Sequence, residues 1–123
     1  MEELTTSETL VMKVIWQNDE PMSIQDILQR VNSAYGKDWK TQTVSTFLSK
    51  MVKKGYLSMQ RRGRYFFYEP LVTEEAYSRR EIAKCVEFWE NGKIDHLLTA
   101  FSEVHELTEE ERANIRELLD ELE

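Results

Sequence analysis

The sequence predicts a mainly α-helical fold with a small antiparallel β-hairpin. Three apolar patterns at helical spacing precede one strongly β-prone run, and three more apolar stripes at helical spacing follow it. The 123 residues are close to the usual size of one domain, and their 41% hydrophobic share is typical of a chain that folds. We therefore expect one small domain over 1–72 and an appended helical region over 73–123.

The first two predicted helices begin at recognisable capping residues. Thr5 and Glu8 fit a capping box, and Pro21 ends the segment because proline disfavours helical geometry in the residue before it. Ser23 opens the second helix, and a loop containing Gly36 follows it. The amphipathic stripe of this second helix consists of Ile24, Ile27, Leu28 and Val31.

The third predicted helix begins at Thr41 as its cap and ends at Gly55. Lys53 and Lys54 precede this glycine, as expected where cations face the negative end of a helix and glycine accepts a positive φ. Its apolar stripe consists of Val44, Phe47, Leu48 and Met51. The opposite face carries short polar side chains and cations, and no acidic residue occurs between Lys40 and Lys54.

A β-hairpin is expected after the third helix. Tyr56 to Gln60 reads as its first strand and Arg62-Gly63 as its turn. The second strand, Arg64 to Glu69, is rich in aromatic residues, and Pro70 ends it. Three short helices followed by a hairpin form the winged variant of the helix-turn-helix.

Three apolar stripes after Pro70 predict three further helices. Asn91-Gly92 separates the first from the second, and Thr108 with Glu111 fits a capping box at the start of the third. These stripes hold more apolar side chains than a domain of about 70 residues can cover. Two-fold association would bury them, so we expect a homodimer. The residues assigned to dimerisation are Phe88, Trp89, Ile94, Leu97, Leu98, Phe101, Ile115, Leu118, Leu119 and Leu122.

The charge is distributed unevenly along the chain. The total is −7, but residues 1–73 hold ten basic and eight acidic residues, and residues 74–123 hold six basic and fifteen acidic residues. Between residues 37 and 64, eight basic residues accompany Asp38 as the single acid. This asymmetry suggests a basic binding surface joined to an acidic segment with another role, and a solvated face on each half is the alternative interpretation.

A winged helix places one helix in the major groove of DNA, which is about 12 Å wide, and its hairpin tip at the backbone or minor groove. We expect Gln42, Thr43 and Thr46 to reach base edges and the lysines to bind phosphates. The wing arginines are expected to bind phosphates or to enter the minor groove. The predicted DNA-binding residues are Lys40, Thr41, Gln42, Thr43, Ser45, Thr46, Lys50, Lys53, Lys54, Arg61, Arg62 and Arg64. Helix solubility and strand-edge protection are the structural alternatives, but neither explains both patches in consecutive elements.

Catalysis, cofactors and metals find little support in the sequence. His96 and His105 lie nine residues apart, without a shared helical face, a Gly-rich loop or a metal-ligand spacing. The single cysteine, Cys85, excludes an intrachain disulfide and is expected to be a small core residue. The sequence shows neither a secretory signal nor an apolar run of about 18 residues that could span a bilayer. We expect no enzyme, no cofactor, no metal and a cytoplasmic location.

The ordered motifs of the chain resemble the penicillinase repressor family, which includes BlaI, MecI and the copper-responsive CopY. The resemblance lies in Leu4-Thr5 with Glu8, Val11 to Trp16, Trp39, Thr43 to Leu48, Lys53 to Leu57 and Gly63 to Val72. It implies a dimeric winged-helix repressor that binds palindromic operators, with base contacts from Thr43 and Thr46. The family often has lysine in place of Gln42 and arginine in place of Lys50.

The resemblance also bears on induction. In the β-lactam branch of the family a membrane sensor protease signals, and the repressor is cut in its dimerisation region, commonly at an Asn-Phe bond. The matching bond here is Ala100-Phe101, for which core packing of Phe101 is the favoured alternative role. The Cys-x-Cys pair of the copper branch is missing, so copper sensing through that motif is not expected. A protein-interaction module without specific DNA binding is the second function considered.

Overall fold

A computed structural model describes residues 2–89 and 93–122 of the chain. This part contains six helices and three strands. The helices are α1 Thr6–Trp16, α2 Ile24–Tyr35, α3 Thr41–Lys53, α4 Glu74–Phe88, α5 Ile94–Val104 and α6 Glu109–Glu121. The strands are β1 Met22–Ser23, β2 Leu57–Arg62 and β3 Tyr65–Pro70. The predicted fold class is confirmed: a winged helix-turn-helix with a small antiparallel sheet, followed by further helices.

The chain divides into two compact units, Met1–Ser78 and Arg79–Glu123. The first unit contains α1, α2, α3, the sheet and the first turn of α4. That first turn is held by the ring of Tyr77, whose centroid lies 5.6 Å from that of Trp16 and 5.8 Å from that of Tyr56. The indole Nε1 of Trp16 also donates a hydrogen bond of 2.8 Å to the carbonyl oxygen of Val72.

Two of the predicted helix caps are present in the first unit, and one differs. The Thr5 hydroxyl accepts from the backbone N–H of Glu8, whose Oε1 accepts from the Thr5 N–H, so the capping box of α1 is confirmed. Ser23 likewise accepts from the backbone of Asp26 at the start of α2. The prediction for α3 was wrong, because Thr41 is its first helical residue and Lys40 its N-cap, without a side-chain capping bond.

The sheet has the strand order β1-β3-β2, with all pairs antiparallel. Leu57 pairs with Pro70 and Arg62 with Tyr65, so the turn lies at Gly63 and Arg64, one residue later than predicted. Gly63 has a φ of +64°, which explains a glycine at this turn. β1 was not predicted, because a strand of two residues is too short to produce an alternating pattern.

The core of the first unit lies between α1, α2, α3 and the inner end of the hairpin. Each helix contributes its apolar stripe, and Tyr56 and Leu57 close the core at the start of β2. The fully buried apolar side chains are Val11, Met12, Ile15, Ile27, Val31, Val44, Leu48, Met51 and Tyr56. This burial leaves the opposite face of α3 accessible.

The second unit buries little of its apolar surface. Leu97 is 8% exposed, whereas Phe101 is 56% and Phe88 75% exposed. Cys85 is exposed as well. The prediction that Cys85 and Phe101 are core residues was therefore wrong for a single chain. Helical spacing of apolar residues defines an apolar face but does not show what covers that face. The predicted break at Asn91-Gly92 lies outside the described residues.

Candidate nucleic-acid interface

The outward face of α3 is the centre of the candidate site. Val44, Leu48 and Met51 are buried against the core, which turns the polar residues of the helix away from it. Gln42, Thr46, Ser49, Lys50 and Lys53 are exposed, while Thr43 and Ser45 are half-buried. Among the described residues of α3 none is acidic, so its solvent face offers hydrogen-bonding groups next to the exposed cations Lys50 and Lys53.

Thr46 is oriented by the helix that carries it. Its hydroxyl donates a hydrogen bond of 3.0 Å to the carbonyl oxygen of Gln42, one turn earlier. The hydroxyl proton is therefore engaged within α3. What remains for a ligand is the γ-methyl group and the acceptor capacity of the oxygen.

The loop before α3 is fixed at its end by Trp39. The Trp39 ring meets the Phe47 ring in an edge-on arrangement, with centroids 5.1 Å apart. The side-chain amide of Asn32 on α2 donates to the backbone oxygen of Trp39, and its oxygen accepts from the Trp39 N–H. These contacts set where α3 begins relative to α2.

The predicted lysines differ in their surroundings. Lys50 and Lys53 are exposed on α3, and Lys40 is an exposed residue whose ammonium lies 3.9 Å from Asp38. The Lys54 side chain, in contrast, is 13% exposed, and its Nζ donates to Glu8 Oε1 at 2.6 Å. This difference could not be predicted from the sequence, because Glu8 lies 46 residues earlier in the chain.

The three predicted arginines surround the wing turn and are exposed. The Arg61 Nε donates to the carbonyl oxygen of Gly63 at 2.9 Å, and its guanidinium carbon lies 6.0 Å from the Phe66 ring centroid. The guanidinium carbon of Arg62 lies 5.2 Å from the ring centroid of Phe67. Stacking on aromatic rings restricts these two side chains, which lowers the entropy that they lose on binding.

The α3 face and the wing border one cleft. A depression of about 450 Å³ is lined by Ser45 of α3, by Arg64 to Tyr68 of the hairpin, by Ser23 of β1 and by the first residues of α2, among them Asp26. One residue of each predicted patch, Ser45 of α3 and Arg64 of the wing, therefore lines the same depression.

Metal binding, histidine chemistry and a membrane span are each less well supported by the described residues. Among residues 2–89 and 93–122, no group of three or more His, Cys, Asp or Glu side chains is arranged to hold a metal. His96 lies 3.9 Å from Asp95, and His105 lies 3.4 Å from Glu111, so the two imidazoles belong to separate pairs. No described helix is both long enough and apolar enough to cross a membrane.

The chain is similar to known proteins over most of its length. The family model described as penicillinase repressor matches residues 4–121. The Penicillinase repressor of Bacillus licheniformis is 26% identical over 119 residues, which cover 97% of this chain and 91% of that protein. The Methicillin resistance regulatory protein MecI of Staphylococcus aureus is 25% identical over 117 residues, which cover 95% of this chain and 93% of that protein.

A solved structure also matches. It is the solution structure of the monomeric form of BlaI from Bacillus licheniformis in complex with the blaP half-operator. It superposes with a TM-score of 0.51 at 29% identity, covering 62% of this chain and 89% of that one.

Proposed function

The chain belongs to the penicillinase repressor family, and from this membership we propose that it is a sequence-specific DNA-binding transcriptional repressor acting on palindromic operators as a homodimer. Residues 1–72 bind DNA in this proposal, and residues 73–123 dimerise. The observation that carries it is the acid-free polar face of α3, which belongs to the same compact unit as the three exposed wing arginines. As a member of a repressor family the protein is not an enzyme, in agreement with the sequence prediction, and we place it in the cytoplasm.

α3 enters the major groove in the proposed complex. Gln42 and Thr46 are exposed near its N-terminus, where a recognition helix meets base edges, and Thr43 lies beside them. Lys50 and Lys53 neutralise phosphates, and the wing arginines extend the contact along the backbone or into the minor groove. The complex of BlaI with a half-operator supports DNA as the partner, because BlaI is a relative of this chain.

Dimerisation is proposed because the second unit leaves large apolar side chains uncovered. Trp89, Ile94, Leu98, Leu118 and Leu119 are between 43% and 59% exposed. A second copy that covers them would remove apolar surface from water, which stabilises the dimer by about 25 cal/mol for each Å² buried. A two-fold pair would also present two α3 helices to half-sites about one DNA turn apart.

Relief of repression by an inducing signal completes the proposal, with a sensor protease as the candidate partner. Ala100-Phe101 is the candidate bond for cleavage, and it lies within α5 with Phe101 exposed. Cleavage there would cut the proposed dimerisation region and weaken operator binding. Mass spectrometry of the chain from induced and uninduced cells would detect the two fragments, and an intact chain during induction would exclude this bond.

Titration of DNA binding against salt tests the central proposal. A duplex selected from a random pool by the protein itself serves as the operator, and a scrambled duplex of equal length as the control. We expect the affinity for both to fall with salt, with a log–log slope of about −0.9 per neutralised phosphate, and the selected duplex to bind more tightly. If neither duplex bound, the protein-interaction module would be the better proposal.

A further inference from the structure

A buried ion pair connects the beginning of α1 to the end of α3. Glu8 is 1% exposed, and its Oε1 accepts hydrogen bonds from Lys54 Nζ at 2.6 Å and from the Thr5 N–H at 2.8 Å. Lys54 is the C-cap residue of α3, and its backbone N–H donates to the carbonyl oxygen of Lys50. The pair thus joins residues that define one end of each helix.

The segment before α1 strengthens this connection. Lys54 Nζ donates a second hydrogen bond, of 2.9 Å, to the carbonyl oxygen of Glu3. The Tyr56 hydroxyl, just after α3, donates to the carbonyl oxygen of Glu2 at 2.5 Å. The N-terminal segment 2–8 is therefore fastened to the chain at the point where α3 ends.

Lys54 and Thr5 together favour the charged form of Glu8. Burial by itself would raise the pKa of the Glu8 carboxyl, but the Lys54 ammonium and the hydrogen bonds from Thr5 outweigh burial and leave this pKa below its ordinary value. The other carboxylate oxygen, Oε2, is buried without a hydrogen-bond partner in the described part of the chain. Withdrawing Lys54 would leave a buried charge uncompensated, which is strongly destabilising.

Binding of Lys54 to a DNA phosphate would require that withdrawal. Its ammonium would have to leave both Glu8 and the Glu3 carbonyl, whereas Lys53 on the same helix is exposed and needs no such change. A phosphate contact from Lys53 is therefore available at lower cost than one from Lys54. From the sequence alone, both lysines were predicted to bind phosphate.

We propose that Glu8 and Lys54 form a positioning pair that fixes the C-terminal end of α3 against α1, and that Lys54 does not bind phosphate. The inference rests on the proposed DNA binding. Contacts between α3 and base edges are directional and sensitive to small rotations of the helix, whereas lysine–phosphate contacts tolerate them. Loosening the pair should therefore reduce binding to the operator more than binding to random DNA.

The test compares Lys54→Met with Lys53→Met, which removes the same charge from the neighbouring exposed position. Affinities for the selected and scrambled duplexes are measured against salt, at a temperature where circular dichroism shows each variant to be folded. For K53M we expect a salt slope shallower by about 0.9 per lost contact on both duplexes. For K54M we expect an unchanged slope, with an affinity about tenfold lower for the selected duplex only.

A double variant keeps the test valid if K54M is too unstable to study. Glu8→Gln with Lys54→Met removes both charges, so it should melt at a higher temperature than K54M alone while keeping the reduced preference for the selected duplex. A shallower salt slope for K54M or the double variant would make Lys54 a phosphate ligand and overturn the proposal. An unchanged ratio between the two duplexes would overturn it as well. Absence of DNA binding by the unmodified protein would instead refute the proposed function. A higher melting temperature for the double variant than for K54M would still show that the two charges interact.

Discussion

Asn32 and Trp39 exchange two hydrogen bonds of 3.0 Å each, from the Asn32 side-chain nitrogen to the Trp39 oxygen and from the Trp39 nitrogen to Asn32 Oδ1. The exchange closes the loop between α2 and α3 in the way that a strand pair closes a hairpin. The Trp39 ring also packs against Phe47 of α3. The Asn32 side chain on α2 therefore holds in place the residue that packs against α3. An asparagine suits this role because its amide carries both a donor and an acceptor.

Asn32→Ala should destabilise the first unit and impair operator binding. It leaves two partly buried backbone groups of Trp39 without partners, at a cost of about 1–3 kcal/mol in the free energy of unfolding. Urea denaturation measures this loss. The exposed neighbour Ser33, changed to Ala, is the control and should stay within about 0.5 kcal/mol of the unmodified protein. Equal stability of N32A and S33A would show that the exchange contributes nothing.

Thr46→Val and Thr46→Ser should separate the two groups that this side chain can offer to a base. The hydroxyl proton is already donated to Gln42, so we expect the methyl group to make the contact with thymine. T46V should keep its operator affinity, whereas T46S should lose about 0.8 kcal/mol, roughly fourfold, with the methyl group. Fluorescence anisotropy on the selected and scrambled duplexes measures both. A loss in T46V larger than in T46S would assign the contact to the hydroxyl.

The sequence predicted most of the fold because its signals are local. Capping residues such as Thr5 and Ser23 and the glycine at position 63 act within three or four residues, and apolar spacing indicates which helix face turns inward. The polar face of α3 could be predicted for the same reason. The register of the turn was missed by one residue, because Gly63 fits either position of a two-residue loop.

Contacts between distant residues were not predictable in this way. The surroundings of Lys54 are set by Glu8 and the Glu3 carbonyl, which lie on a segment packed against it only in the folded chain. The stacking of Arg61 on Phe66 depends on strand register, which pairs these two residues directly. Exposure of Phe101 depends on what the second unit can cover, and the apolar spacing of α5 carries no information about that.

Acid should destabilise the protein partly through Glu8. Because the folded-state pKa of this carboxyl lies below 4.5, its ordinary value, its stabilising contribution is fully present above that pH and is lost as the pH falls through the folded-state pKa. Thermal unfolding between pH 7 and pH 3 should therefore show a steeper decline below 4.5 for the unmodified protein than for Glu8→Gln. Glu20→Gln, at an exposed position, is the control and should follow the unmodified protein. Parallel curves for E8Q and the unmodified protein would contradict this role of Glu8.

Phe101→Asp should separate the proposed dimer while leaving each chain folded. Phe101 is 56% exposed on α5, whereas Leu97 is 8% exposed, so a carboxylate at 101 enters the proposed interface and one at 97 would disturb the unit itself. Sedimentation should give a monomer for F101D and a dimer for Thr99→Asp, which adds the same charge at an exposed position on the opposite face of α5. F101D should also bind a full palindrome no more tightly than a half-site, because only a dimer gains affinity by contacting both half-sites at once. A dimer that persists in F101D would place the interface elsewhere.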